Sequence, residues 1–266
     1  MLSKYSNSRT LGDNIKLGAL TAFSAGMVNV ISVIIFFAFT SNVTGHYAVL
    51  AEEIAKGNWY QAGVVASWIL LFFFGGFTAN LIIINFNKTY TYLAHAVPII
   101  LEIICLLIVG SYIQFYYQET LVETEILVGL MLFAMGIQNG LTASISNSAV
   151  KTTHLTGLTT DLGMLFSMFT KKEFRENKAL RGKAKIQMAI MTSYLSGGVA
   201  AGLVYLNIGY NVFYIVCLFL LVVIGYDFYK LKVSMYMSAR QPFLRIQYLS
   251  GMHRNRKRKR KDLQNA

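Results

Sequence analysis

Two stretches of the chain place amide side chains and a Thr-Gly pair in apolar surroundings. Gly26 to Leu50 reads G-M-V-N-V-I-S-V-I-I-F-F-A-F-T-S-N-V-T-G-H-Y-A-V-L. Gly136 to Leu162 reads G-I-Q-N-G-L-T-A-S-I-S-N-S-A-V-K-T-T-H-L-T-G-L-T-T-D-L. Each holds Gly-x-x-Asn inside an apolar run (Gly26 and Asn29; Gly136 and Asn139), then reaches Thr-Gly (Thr44-Gly45; Thr156-Gly157) ahead of a short amphipathic stretch. A polar group inside a membrane costs free energy unless it is satisfied, and here it recurs at the same place twice. Thr before Gly at the head of a helical run suits a helix start, where the hydroxyl can cap and the free N–H groups carry the positive dipole end. Such an end favours an anion. The chemistry is therefore recognition of a small polar or anionic solute, with Asn29, Thr44, Gly45, Gln138, Asn139, Thr156 and Gly157 as candidate substrate-binding residues. The competing reading is structural: glycine lets helix backbones approach and asparagine bonds across their interface.

Glu102 lies well inside an apolar run, a costly place for an acid that is not paired, protonated or facing a wet cavity. It is the candidate coupling residue; its structural alternative is a bond to Asn29, a Thr or His95. His95 falls near the expected membrane boundary and reads as an interfacial, solvated histidine. His46 and His154 flank the two Thr-Gly pairs, and no further ligands converge on them in sequence, so no metal site is expected. Cys105 and Cys217 lie in apolar runs and read as buried structural thiols. No Walker loop, zinc-protease pair, Cys-x-x-Cys or nucleophile elbow appears. The expectation is a protein that is not an enzyme and uses no cofactor.

The elements that must position these residues are membrane spans. Of 266 residues, 55% are hydrophobic and only 14% charged, against about 25% charged in soluble domains; mean hydropathy is +0.49. Six runs approach the roughly 20 residues a bilayer requires: about 17–39, 60–84, 92–112, 126–145, 186–206 and 212–229. The stretch 44–56 is too short and too charged to cross, so it reads as interfacial or re-entrant. Lys and Arg gather in the N-terminus, at Lys88, over Lys171–Lys185 and in the tail, all on one side of a six-span arrangement. The loop with Glu119, Glu123 and Glu125 and the turn at Asn207–Asn211 fall on the other. By the positive-inside rule both termini are cytoplasmic and the protein sits in a bacterial inner membrane. The net charge of +12 is concentrated in the tail, where Arg254, Arg256, Lys257, Arg258, Lys259, Arg260 and Lys261 form a patch for anionic lipid headgroups rather than for nucleic acid.

Spans one to three (residues 17–120) and four to six (121–232) form two halves between a short N-terminus (1–16) and a basic tail (233–266). Gly75-Gly76 in the second span answers Gly197-Gly198 in the fifth. Three spans per half is odd, so the second half must be inserted upside down, a recurring transporter design with the ligand site near the midplane. The expected fold class is an all-α polytopic bundle of two inverted three-helix repeats, with a short helix after each Thr-Gly.

Four motifs carry a family resemblance: G-M-V-N (Gly26–Asn29), T-G-H (Thr44–His46), G-I-Q-N (Gly136–Asn139) and L-T-G (Leu155–Gly157). Over roughly residues 15–230 the chain resembles the YoaK-like family of small bacterial membrane proteins, a domain of unknown function. The resemblance implies the six-span fold and no settled activity. The family pattern carries Asp where this chain has Asn29, and Asn where it has His46. The first span thus lacks a carboxylate that could carry a proton.

The functional expectation is a secondary transporter or permease whose six-span, half-size body is compatible with pairing into a homodimer. The alternative is a non-transporting scaffold or lipid-interacting regulator working through the tail. A scaffold needs no polar cluster at the midplane and tolerates loss of Asn29, Asn139 and Glu102 with changes in stability only. A membrane enzyme acting on lipid is a third class, and would need acids or histidines converging at headgroup depth.

Overall fold

The computed structural model describes Leu2, residues 9–88 and residues 90–229; among the described residues the regular structure is helical, with no strand. In chain order these are α1 (Leu11–Phe36), α2 (Val43–Ala55), α3 (Trp59–Phe86), α4 (Thr91–Phe115), α5 (Leu121–Ser146), α6 (Leu155–Met168), α7 (Lys172–Glu176) and α8 (Lys178–Ile208). A ninth helix, α9, runs over residues 212–229. Among the described residues five stretches are long and apolar enough to cross a membrane: α1, α3, α4, α5 and Lys178–Tyr229. The last holds 52 residues, more than twice what one crossing needs. It is broken at Gly209–Asn211, where Gly209 takes φ 58°, a left-handed angle that glycine adopts without steric cost. The chain is a polytopic membrane helix bundle. It divides into two compact units, Met1–Ile224 and Gly225–Ala266, and everything that positions the candidate site lies in the first.

Local chemistry sets the helix ends. α1 opens on a capping box in which Thr10 accepts from the Asp13 N–H and the Asp13 carboxylate answers the Thr10 N–H. α5 opens on the same device, Thr120 with Glu123. Both helices are 26 residues long, and both close on a left-handed residue, Phe37 and Asn147. Caps, glycines (Gly26, Gly136), asparagines (Asn29, Asn139) and ends therefore recur along α1 and α5 at one constant offset.

The expected basic loop Lys171–Lys185 is corrected: its second half is helix. The Asn177 Oδ1 accepts from the Ala179 and Leu180 N–H groups at 2.9 and 3.3 Å and starts α8 at Lys178. Lys and Arg are good helix formers whose long stems carry the charge out to solvent, so a spanning helix runs on through a charged stretch. The threonines are also not the caps of the short helices. Asn42 caps α2 through the Gly45 N–H at 3.1 Å, α6 starts after His154 without a side-chain cap, and each Thr-Gly sits in the first turn.

Helix pairing follows the glycines. A Cβ on Gly26 would stand 2.0 Å from the Tyr194 carbonyl oxygen, and one on Gly197 would stand 2.0 Å from that of Phe23. Across the bundle, a Cβ on Gly136 would stand 2.1 Å from the Phe72 oxygen, and one on Gly75 would stand 2.2 Å from that of Phe133. The set Phe23, Gly26, Tyr194, Gly197 in α1 and α8 is thus matched, spacing for spacing, by Phe133, Gly136, Phe72, Gly75 in α5 and α3. Both pairs are parallel: Gly18 meets Ile190 while Val30 meets Gly198 and Gly202, and Gly129 meets Trp68 while Gly140 meets Gly76. α1 and α5 are antiparallel, since Ser24 bonds Gln138 while Phe36 stacks on Tyr117, just ahead of α5. α4 and α9 are antiparallel as well, with Ser111 beside Tyr214 and Ile103 beside Cys217. Lipid supplies no hydrophobic drive between helices, so close backbone approach is a main source of attraction.

The substitution Gly26→Ala therefore forces α1 away from α8, and it should cost about 1–3 kcal/mol by the overpacking penalty. Gly63→Ala, at a position with open space around it, should cost nothing. Reversible unfolding in detergent measures both.

Candidate functional site

Asn29 lies seven residues before the end of α1, yet it bonds the loop that follows that end. Its Oδ1 accepts from the Thr40 N–H at 2.9 Å, the Ser41 N–H at 3.2 Å and the Thr40 hydroxyl at 3.4 Å. The chain therefore leaves α1, turns, and comes back to the level of Asn29 before α2 begins. Asn139 does the same after α5. Its Nδ2 donates to the Thr153 hydroxyl at 2.8 Å and to the Met135 carbonyl at 3.1 Å, and its Oδ1 accepts from the Thr152 hydroxyl at 3.2 Å. Irregular backbone at membrane depth survives only where its polar groups find partners or line a cavity. Asn29 supplies such partners to backbone N–H groups, Asn139 anchors its loop through two threonine hydroxyls, and α2 and α6 become half-length helices that start inside the bundle.

The two starts face each other. A cavity of about 490 Å³ is lined by Asn42, Val43 and Thr44 from the head of α2, by His154, Thr156 and Gly157 from the head of α6, and by Asn139, Lys151 and Phe72 among others. Phe72 is near the middle of α3, which places the cavity near mid-height. Two positive helix ends and one lysine give it a potential suited to negative charge.

A second cavity, about 640 Å³, opens where α1 and α8 begin, and Lys151, His154 and Gly157 line both. Asp161 on α6 stands in its wall. The carboxylate accepts from Lys183 at 2.7 Å and from the Gln187 amide at 2.8 Å, tying α6 to α8. The bond from Lys183, then that from Gln187, with attraction to His154, hold this carboxyl below the usual aspartate range.

At the opposite end, around the heads of α3 and α5, aromatic rings fill the space. The Tyr60 hydroxyl donates to the Glu125 carboxylate at 2.7 Å, and the Trp68 Nε1–H to the Glu125 carbonyl at 2.9 Å. His46 stacks edge-on against Trp68 and bonds the Phe39 carbonyl at 2.8 Å. His46 is buried, and burial lowers its pKa despite the bond to Phe39.

The sequence candidates separate in space. Thr44, Asn139, Thr156 and Gly157 line the mid-height cavity. Asn29, 8% exposed, holds the wall from behind, and the Gly45 N–H is spent on the Asn42 cap. Gln138 points elsewhere: its amide donates to the Ser24 hydroxyl at 2.6 Å and to Glu102 at 3.0 Å. Glu102 is wholly buried among α1, α4 and α5, and its partner is Gln138, not Asn29, a Thr or His95. His95 is corrected from an interfacial to a core residue: it is fully buried, and its Nδ1 contacts the Leu2 carbonyl. Ser41, Lys151, Thr153, Lys183 and Gln187, unmarked in the sequence reading, complete the two walls together with Asp161, which reads from sequence as an interfacial solubilising charge. The signal for Thr40, Ser41, Thr152 and Thr153 was present as a hydroxyl pair ahead of each Thr-Gly. The lipid-binding candidates Arg254 to Lys261 lie outside the described residues.

The family described as Protein of unknown function (DUF1275) matches residues 17–226, and the chain belongs to it. Neither a curated protein nor a solved structure matches the chain.

Two outcomes follow from the geometry. Asn29→Ala strands two backbone N–H groups and should cost about 1–3 kcal/mol, while Asn139→Ala loses mainly side-chain bonds and should cost about 1 kcal/mol; detergent unfolding ranks them. The Asp161 carboxyl is lowered in the fold, so its contribution is complete above the ordinary aspartate range and is lost as pH falls through the depressed value. Asp161→Asn should accordingly lower the melting temperature at neutral pH, and the gap to the native protein should close in acid.

Proposed function

We propose that this member of the DUF1275 family is a six-span secondary transporter for a small anionic or polar solute, built as two inverted three-helix repeats. The observation that carries the reading is the mid-height cavity between the heads of α2 and α6. Broken or re-entrant helices whose N-termini converge near the midplane are how transporters of this design hold anionic groups. The matched glycine sets, the matched caps and the antiparallel course of α1 and α5 support the inverted duplication. The break at Gly209–Asn211 supports counting α8 and α9 as the fifth and sixth spans.

Asymmetry between the ends supports alternating access. Extending the glycine equivalence along the helices pairs Tyr60 and Trp68 of α3 with Gly182 and Ile190 of α8. Bulky rings close the end where α3 and α5 start, while glycine and isoleucine leave the 640 Å³ cavity at the other. That open end carries Lys178 and Lys183, so the positive-inside rule makes it cytoplasmic, with the N-terminus on the same side. In this reading Thr44, Thr156, Gly157, Asn139 and Lys151 meet the solute, Asn29 supports the wall, and Glu102 remains the coupling candidate through its bond to Gln138. The scaffold alternative gains nothing from the described residues, since its tail lies outside them.

Reconstituted protein should take up labelled small anions from a panel of carboxylates, phosphate and sulfate. Lys151→Gln should reduce uptake about tenfold, the loss of one charge-assisted contact. Thr156→Cys should react with an impermeant thiol reagent from the Lys178 side and be protected by the transported solute. No uptake of any panel member, together with an unreactive Thr156→Cys, would leave the reading without support.

A further inference from the structure

A separate cavity of about 400 Å³ lies where α1 and α8 end and the α4–α5 loop passes, remote from both cavities described above. Phe36, Tyr117, Tyr205 and Tyr210 line it together with Glu119 and Thr124. The rings come from three places in the chain and meet here: Phe36 stands edge-on to Tyr117 with centroids 5.8 Å apart, and Tyr205 is tilted against Tyr210 at 6.2 Å. No Lys or Arg lines the space. Lys56, the one basic residue of the α2–α3 connection, is held by Glu52 and Glu53.

The loop is built to present Glu119. Glu123 accepts from the Gln118 and Thr120 N–H groups at 3.1 and 3.3 Å and from the Tyr112 hydroxyl at 2.8 Å, fixing the backbone on both sides of residue 119. Tyr117 is held in turn by Thr124 at 2.7 Å. Between these anchors Glu119 takes φ 58°, a left-handed angle few residues other than glycine adopt. Its carboxylate has no hydrogen bond or ion pair among the described residues. An aromatic belt at a membrane surface explains tyrosines, but it does not explain their convergence on a cavity beside an unpaired acid whose flanking backbone is anchored.

We infer that this cavity is an aromatic cage for an organic cation of the quaternary ammonium class, in which the faces of Tyr117, Tyr205 and Tyr210 hold the head and Glu119 supplies the opposite charge. Ring faces attract a soft, weakly hydrated cation through the negative quadrupole. A single carboxylate ringed by phenols cannot satisfy the coordination a divalent metal requires. The site is independent of the proposed anion path, so either can fail alone.

The test uses full-length protein in a maltoside detergent, titrated with choline and with its neutral isostere 3,3-dimethyl-1-butanol, and followed by calorimetry. Choline should bind about tenfold more tightly than the isostere, and Tyr210→Leu and Glu119→Gln should each weaken choline about tenfold without moving the melting temperature. Equal binding of the two probes, absence of choline binding, or stable variants that bind choline as the native protein does would overturn the inference. Repeating the titration in phosphatidylcholine and phosphatidylglycerol nanodiscs separates two sources of the same chemistry. Weaker choline binding only in the former identifies a lipid headgroup as the occupant; equal binding in both identifies the free cation.

Discussion

Backbone that is not helical cannot sit in hydrocarbon without partners, and the architecture turns on how this chain supplies them. Two segments leave a spanning helix, turn, and re-enter the bundle. Each is met by an asparagine on the helix it has just left. Asn29 gives its carbonyl oxygen to two backbone N–H groups, and Asn139 engages two threonine hydroxyls. Without such partners the loops could not lie at mid-height, the half-helices would have no fixed starting points, and their positive ends would not face one cavity.

The glycines set the frame in which those loops return. Contacts of about 2 Å from an added Cβ to a facing carbonyl mean that α1 against α8 and α3 against α5 are in backbone contact, which no other residue allows. Each parallel pair joins one helix from either half of the chain. The halves therefore interlock rather than sit side by side, and the space between the half-helices is walled by both. Glu102, Gln138 and Ser24 form a polar tie through the middle of this frame.

The two ends of the bundle differ through ordinary side-chain substitutions at matched positions. Where one half has Tyr60 and Trp68, the other has Gly182 and Ile190. The rings tie α3 to α5 through Glu125, whereas the other end is held by an ion pair between α6 and α8 beside open space. Packing at one end and a solvated charge pair at the other are interactions of different kind.

Much of this was written in local chemistry. Apolar runs of bilayer length fixed the membrane class, because hydrocarbon admits little else. The recurrence of Gly-x-x-Asn and Thr-Gly marked the two returning segments and the short helices after them. Charged stretches misplaced the start of α8, because helices continue through lysines, and His95 was misread because α4 turns it into the core, where it meets the carbonyl of the distant Leu2. Only the tertiary structure separated candidates that look alike in sequence. Neighbouring Gln138 and Asn139 face different ways, one to Glu102 and one to the cavity, because adjacent residues on a helix point about 100° apart. Residues without a motif, Lys151 and Ser41 among them, join the walls because folding back brings them there. Residue types reveal which groups need partners; the path of the backbone selects those partners from the rest of the chain.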